Sequence, residues 1–249
     1  EEIIKVYGID APYYYLTESL CWPILEEIIK SKLMTEPMEV NERMRELSLK
    51  MPVGSTVLTV VRLVEQMALY YNQTKSIGTL KLNTPEDYVQ KYVNEYYLMD
   101  MFYRRALEAY HELVTLDIPI EAVINEAKRQ LDQEYAKMAN VMNLEWLTCV
   151  KEKGETFRGV TLGRQQHFYR TEGDGTVKQV VIVSDALRYE VAVELMQQLA
   201  KEKHIATLTP YLAMLPTETK YCKPALLPHQ SLELQVTDML VDGAVLTTT

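Results

Sequence analysis

Along STVLTVVRLVEQMALYY (55–71), Val57, Val60, Val61, Val64, Met67, Ala68 and Tyr71 are spaced i, i+3, i+4, i+7, which predicts an amphipathic helix. Its β-branched residues lower helix propensity slightly, but the run is too long for an ordinary strand. The longest periodic stretch is TPEDYVQKYVNEYYLMDMFYRRALEAYHEL (84–113). Thr84 suits its N-cap, Pro85 its first helical position, and Glu86 and Asp87 the positive end of the helix dipole. Tyr88, Tyr92, Tyr96, Met99, Tyr103 and Tyr110 share one side of it. Such a stripe can stack bases, but an amphipathic face packed on neighbouring helices explains the spacing with less and is the reading taken. Asp117 then precedes a further helix over IPIEAVINEAKRQLDQEYAKMANVM (118–142), with Pro119 near its first turn. Arg104 and Arg105 read as a solvated face, contact with phosphate or a partner being the alternative, and Trp146 reads as a core or interface anchor.

The pattern changes after residue 150. KEKGETFRG and RTEGDGTVKQ carry turn-forming glycines and an aspartate and read as loops. A β-α-β unit follows: strand Val180–Val183, a helix over about Leu187–Lys201, and a strand over about Ile205–Leu212. Leu187, Val191, Leu195 and Leu199 make one stripe on that helix, suited to lying on a sheet. An unbroken apolar strand suits a parallel sheet covered on both faces. The expectation is a helical region over 1–150, a loop-rich connection over 151–176, and the start of an α/β domain with a parallel sheet over 177–249. Two parallel strands do not stand alone, so sequence beyond Thr249 is expected to complete the sheet. Neither end has the composition of a natural terminus, which predicts a piece of a longer protein.

Composition narrows the class. An apolar fraction of 47% supports a packed core, and charges are interspersed, which excludes global disorder. Arg62 and Glu65 interrupt the most apolar window, so no membrane span is expected. A net charge of −9 disfavours coating of nucleic acid, though not a local site that handles phosphate. Cys21, Cys149 and Cys222 are odd in number and far apart, which suits free thiols in a reducing cytoplasm.

Chemistry concentrates at strand ends. In open α/β sheets functional groups gather at the carboxyl ends of strands. Asp185 stands there, immediately after VVIVS, as either a helix N-cap or a ligand to a divalent cation; Ser184 is a second candidate cap. The next strand leads into MLPTETKYCKPALLPH (214–229), where Thr217 and Thr219 follow Pro216. A threonine hydroxyl beside a divalent metal loses its proton more readily and can attack phosphorus. Alone, PTET is a weak signal, because such threonines are mostly turn or cap residues. Arg188 is a candidate for steering an anionic substrate, with a surface ion pair as the plainer role, and Lys223 is a candidate phosphate ligand or simply a solvated side chain. His111, His167 and His204 lack ligand spacing, and His229 reads as a loop histidine.

VVIVSDALRYEVAVEL, LAMLPTETKYCKPALLPH and DMLVDG together resemble the PglZ domain of BREX phage-defence systems, a branch of the alkaline phosphatase superfamily. YYLMDMFYRRALEAY (96–110) looks like the helical region preceding that domain, so the resemblance spans roughly 84–249. It implies that Asp185 binds metal and that Thr219 is the nucleophile and also a metal ligand, with Thr217 as the fallback. It also implies two divalent ions, commonly zinc, held by further Asp and His residues later in the chain. One departure stands out. Tyr221, Cys222, Lys223 and Pro224 replace the small apolar residues usual after the threonine, which puts the standard loop geometry in question. The implied function is a cytoplasmic metal-dependent phosphoesterase component of an antiviral system, inactive as this segment alone, with other defence proteins as partners of the helical region and a phosphodiester or nucleic acid as a possible substrate. The alternative is a non-catalytic assembly subunit that uses the fold for docking.

Overall fold

Val57, Val60, Val61, Val64, Met67, Ala68 and Tyr71 are all buried, and so are Leu63 and Tyr70, because their helix runs through the middle of a bundle. The computed structural model describes residues 18–78, 80–154, 157, 159–169, 180–235 and 238–245. They form two compact units, residues 1–157 and 158–249. In the first, helices run in the order α1 (Glu18–Ser31), α2 (Pro37–Lys50), α3 (Thr56–Ser76), α4 (Pro85–Lys91), a π-turn (Tyr92–Tyr96), α5 (Tyr97–Leu113) and α6 (Glu121–Glu152). α3 packs chiefly against α2 and α5. No helix among the described residues is long and apolar enough to cross a membrane. Arg62, which breaks the apolar window, reaches Glu112 of α5 at 3.2 Å on the surface.

The expected single helix over 84–113 is a composite. Thr84 and Asp87 form a reciprocal capping box, the Asp87 N–H donating to Thr84 Oγ1 at 3.1 Å and the Thr84 N–H to Asp87 Oδ2 at 3.0 Å. One wider turn then re-phases the side chains between α4 and α5. Tyr88, Tyr96 and Met99 are buried, and Tyr92, Tyr103 and Tyr110 pack partly buried on the core. Their hydroxyls find rim partners: Tyr92 donates to Asp100 at 2.6 Å, Tyr103 to Asp132 at 3.1 Å, and Tyr110 to Asn125 at 2.9 Å. Tyr135 of α6 donates to the other Asp100 oxygen at 2.9 Å and stacks on Tyr103 with ring centroids 3.8 Å apart. The stripe is therefore a packing face. Trp146 lies edge-on to Tyr88 and stacks on Phe157, anchoring the far end of α6. α6 continues ten residues past the end expected for it, to Glu152.

Two hydroxyls in this core lack a hydrogen-bond partner among the described residues, those of Tyr70 and Tyr71. Burial pushes both phenols up, Tyr71 to about 12. A buried hydroxyl without a partner forfeits its hydration, at about 1–3 kcal/mol. Tyr70→Phe is therefore expected to leave the thermal midpoint unchanged or raise it by a few degrees, and a fall equivalent to more than about 1 kcal/mol would show the hydroxyl to be bonded.

The second unit is mixed. β1 (Gly163–Arg164) pairs in parallel with β2 (Tyr211–Leu212), with Gly163 opposite Tyr211. α7 spans Tyr189–Lys201 and α8 spans Thr219–Ala225. β3 (Leu232–Gln235), β4 (Asp238–Val241) and β5 (Ala244–Val245) form an antiparallel sheet that the sequence pattern had not suggested. Two expectations change. Val180–Val183 forms no strand among the described residues, Val180 and Ile182 being 82% and 87% exposed, and the second strand shrinks to Tyr211–Leu212. A run of β-branched residues states a preference for a covered sheet and becomes a strand only beside a neighbour. Similarly, α7 buries Glu190 and Val193, while Leu187 and Leu195 of the expected stripe stay about half exposed.

Asp242 and Gly243 form the two-residue turn between β4 and β5, both with positive φ (51° and 80°), as an Asp-Gly hairpin requires. The Asp242 carboxylate accepts the backbone N–H groups of Gln230 and Ser231, both at 2.8 Å, and these bonds hold it below the usual carboxylate range. A depressed folded-state value means that this tie is complete above about pH 4 and is lost as pH falls through it. Amide exchange at Gln230 and Ser231 should accelerate relative to the rest of the unit as pH drops from 6 to 3. In Asp242→Asn that pH dependence should vanish.

Candidate functional site

The turn between Val183 and α7 carries the acid. Asp185 is exposed and is followed by Ala186, whose φ of +54° lies in the left-handed region. A non-glycine residue there costs about 1 kcal/mol. The Arg188 N–H donates to the Ala186 carbonyl at 2.8 Å, closing the turn. Arg188 itself is the N-cap of α7, and its carbonyl accepts from Ala192 at 3.0 Å. Neither Asp185 nor Ser184 caps the helix. Arg188, the candidate for steering an anionic substrate, sits at the entrance of the helix with its side chain exposed. Glu190, in the first turn, is 1% exposed, at the end of the helix where the dipole favours an acid.

The threonines lie on the opposite arm. Thr217 is in the exposed approach to α8, after a cis Leu215–Pro216 bond, and Thr219 is the exposed first residue of α8 behind the N-cap Glu218. Lys223 follows Thr219 by one helical turn, the spacing that places two side chains on the same face. Its Nζ lies 2.9 Å from Asp185 Oδ2. The acid-bearing turn and the helix of the candidate nucleophile thus meet through this ion pair. Both side chains are partly exposed, 39% and 59%, so the pair contributes about 0–1 kcal/mol and is readily exchanged.

α8 is fixed from two sides. Tyr221 enters a small cluster with Met239 and Val241, flanked by Met214 and Leu232. On the other side, the Gln165 amide donates from Nε2 to the Cys222 carbonyl at 3.2 Å and accepts at Oε1 from the Met214 N–H at 3.1 Å. The Cys222 thiol lies 3.7 Å from the Met214 carbonyl and 3.6 Å from that of Pro216, and burial pushes its pKa up. Gln165, Tyr169 and Glu190 were missed from the sequence. Gln165 lies 49 and 57 residues from its partners, and no local pattern marks such a contact.

Among the histidines, His229 is buried, with Nδ1 2.7 Å from the Leu227 carbonyl and its ring 4.9 Å from that of Tyr169, whose hydroxyl donates to the His229 carbonyl. It is a packed loop histidine. His111, His167 and His204 are exposed. The three cysteines are free. No group of three or more His, Cys, Asp or Glu side chains able to hold a metal ion occurs among the described residues. Asp185 nevertheless fits a cation ligand, because the Lys223 ammonium at its oxygen already stands in for one. It can serve as one ligand of a site but not as the whole of one.

Residues 165–249 match the family model described as the BREX system PglZ alkaline phosphatase-like domain. Two curated proteins are similar. The alkaline phosphatase-like protein PglZ of Bacillus cereus (strain H3081.97) is 28% identical over 154 residues, which is 59% of this chain and 18% of that protein. The alkaline phosphatase-like protein BrxZ of Escherichia coli O9:H4 (strain HS) is 52% identical over 58 residues, 22% of this chain and 7% of that protein. The chain thus spans a small part of the curated relatives it matches. No solved structure matches it.

Proposed function

We propose, from the premise that residues 165–249 carry a PglZ alkaline phosphatase-like domain of a BREX system, that the chain contributes the nucleophile arm of a metal-dependent phosphoesterase in bacterial phage defence. Residues 1–150 serve as a docking region for other components of the system, 151–176 as a connection, and 177–249 as the first part of the catalytic domain. The observation that carries this reading is the ion pair joining Asp185 to the helix of Thr219. A carboxylate and a hydroxyl on the two arms that meet there suit phosphoryl transfer.

Asp185 and Thr219 would hold one divalent cation, with zinc the expected metal, and the cation when bound would lower the pKa of the Thr219 hydroxyl and neutralise phosphate charge. Thr219 Oγ1 attacks phosphorus, its bond to phosphorus forming as the bond to the leaving alkoxide breaks; the alkoxide departs with a proton. Water then cleaves the phosphothreonine and restores the hydroxyl. Arg188, exposed beside the turn, and the half-buried Lys223 supply positive charge for the anionic substrate once Lys223 leaves Asp185.

The test uses the protein at its natural full length, bis(4-nitrophenyl) phosphate as substrate and zinc as the added metal. Asp185→Ala should weaken zinc binding, read by calorimetry, at least tenfold and lower hydrolysis in parallel. Unchanged hydrolysis in this variant would remove the catalytic reading. The alternative, a non-catalytic assembly subunit that uses the fold for docking, makes a different prediction. Under that alternative, defence survives Asp185→Ala and fails when the exposed Leu144 and Leu147 of α6 are replaced by serine.

A further inference from the structure

The segment GRQQHFY (163–169) has no role in the chemistry above, yet four of its residues touch the stretch 211–229, on either side of Thr217 and Thr219. Gly163 lies against Tyr211, and a Cβ built on it would sit 2.8 Å from the tyrosine ring, so any larger residue there would push the ring aside. Phe168 meets the same ring edge-on at 6.1 Å. Tyr169 bonds the backbone of His229, past the end of α8. Between these two contacts, Gln165 reaches both ends of the threonine-bearing stretch, Met214 before it and Cys222 after it.

The two partners fix the amide's orientation. A backbone N–H can only donate and a carbonyl can only accept, so Oε1 must face Met214 and Nε2 must face Cys222. Gln165 therefore ties the two ends of the stretch 214–222 together, beside the weaker contact of the Cys222 thiol with the Met214 carbonyl at 3.7 Å. The threonines between those ends inherit a fixed direction. The bond to Met214 tethers the entry, and the bond to Cys222 tethers the helix that carries Lys223. Neither Thr217 nor Thr219 is itself buried, so packing around the threonines does not hold them in place.

We infer that Gln165 is the positioning residue of the candidate nucleophile loop, holding Met214 and Cys222 together so that Thr219 faces the Asp185 turn. The inference rests on the proposed function only for its effect on rate; the clamp itself is a property of the fold. A displacement of about 1 Å in a reacting group can lower a rate about 100-fold, so an amide remote from the substrate can act through orientation alone.

Two variants test it in the full-length protein. Gln165→Ala removes both bonds. Gln165→Glu keeps an acceptor for the Met214 N–H but presents an acceptor to the Cys222 carbonyl. Cys222 is half-exposed whereas Cys21 and Cys149 are buried, so iodoacetamide alkylation reports on the loop. In Gln165→Ala, Cys222 alkylation should quicken at least fivefold and the Met214 amide should lose its exchange protection, while α7 amides keep theirs. Gln165→Glu should retain the Met214 protection and still show faster alkylation. Hydrolysis of bis(4-nitrophenyl) phosphate should show kcat at least tenfold lower with KM within twofold. Alkylation and exchange within twofold of wild type in both variants would overturn the clamp. A loosened loop with unchanged kcat would overturn the positioning role. Absence of hydrolysis in the wild-type protein would instead defeat the proposed function, and the alkylation and exchange results would still decide the clamp.

Discussion

Thr219→Ala is expected to lower phosphodiester hydrolysis by at least about 1,000-fold, equivalent to about 4 kcal/mol of transition-state stabilisation. Under the proposed function the Thr219 hydroxyl forms the bond to phosphorus, so its removal leaves only attack by water. The substitution should not disturb the fold. Thr219 is exposed, it opens α8 rather than capping it, and alanine is the better helix former. A thermal midpoint within about 2 °C of wild type would therefore accompany the loss. Thr219→Ser, which keeps a hydroxyl, should recover part of the rate, and Thr217→Ala should change it less than about fivefold. The reverse ranking of the two alanine variants would transfer the nucleophile to Thr217. Equal and small effects would remove threonine chemistry altogether.

In the helical unit the largest expected effect comes from Leu63→Ala. Leu63 is 1% exposed near the middle of α3, the helix enclosed by α2 and α5. Truncating a leucine there loses transfer free energy and opens a cavity that three packed helices can close only in part, at about 3 kcal/mol. For a unit of this size that predicts a fall in thermal midpoint of about 6–12 °C, read by helical circular dichroism. Leu49→Ala is the matched control. Leu49 is 88% exposed, and its truncation should change stability by less than about 0.5 kcal/mol.

Much of the helical unit could be read from spacing because its elements are local. The periodicity of 57–71 matches the buried face of α3, and Thr84-Pro85 marks where α4 begins. The π-turn was not readable, since it depends on which residues of the tyrosine face must meet α3 and α6. In the second unit, Val180–Val183 carried a strand signal with no strand beside it among the described residues, and period alone could not tell these cases apart. The hairpin turn at Asp242-Gly243 did have a local signature, an Asp-Gly pair after apolar residues, but short strands of mixed polarity around it hid the sheet. For the site, Asp185 and PTET were visible as chemistry at strand ends. The ion pair of Lys223 with Asp185 and the amide clamp of Gln165 join residues remote in sequence, so only the folded chain reveals them.

The left-handed Ala186 has a consequence for how the aspartate before it behaves. Glycine would relax that turn, and would also let it wander through a wider range of backbone angles. Alanine gives up a little local comfort in exchange for stiffness. A carboxylate held only by one partly exposed, readily exchanged ion pair owes much of its bearing to the main chain. Ala186→Gly should thus leave the fold at least as stable while blurring the direction in which the acid points.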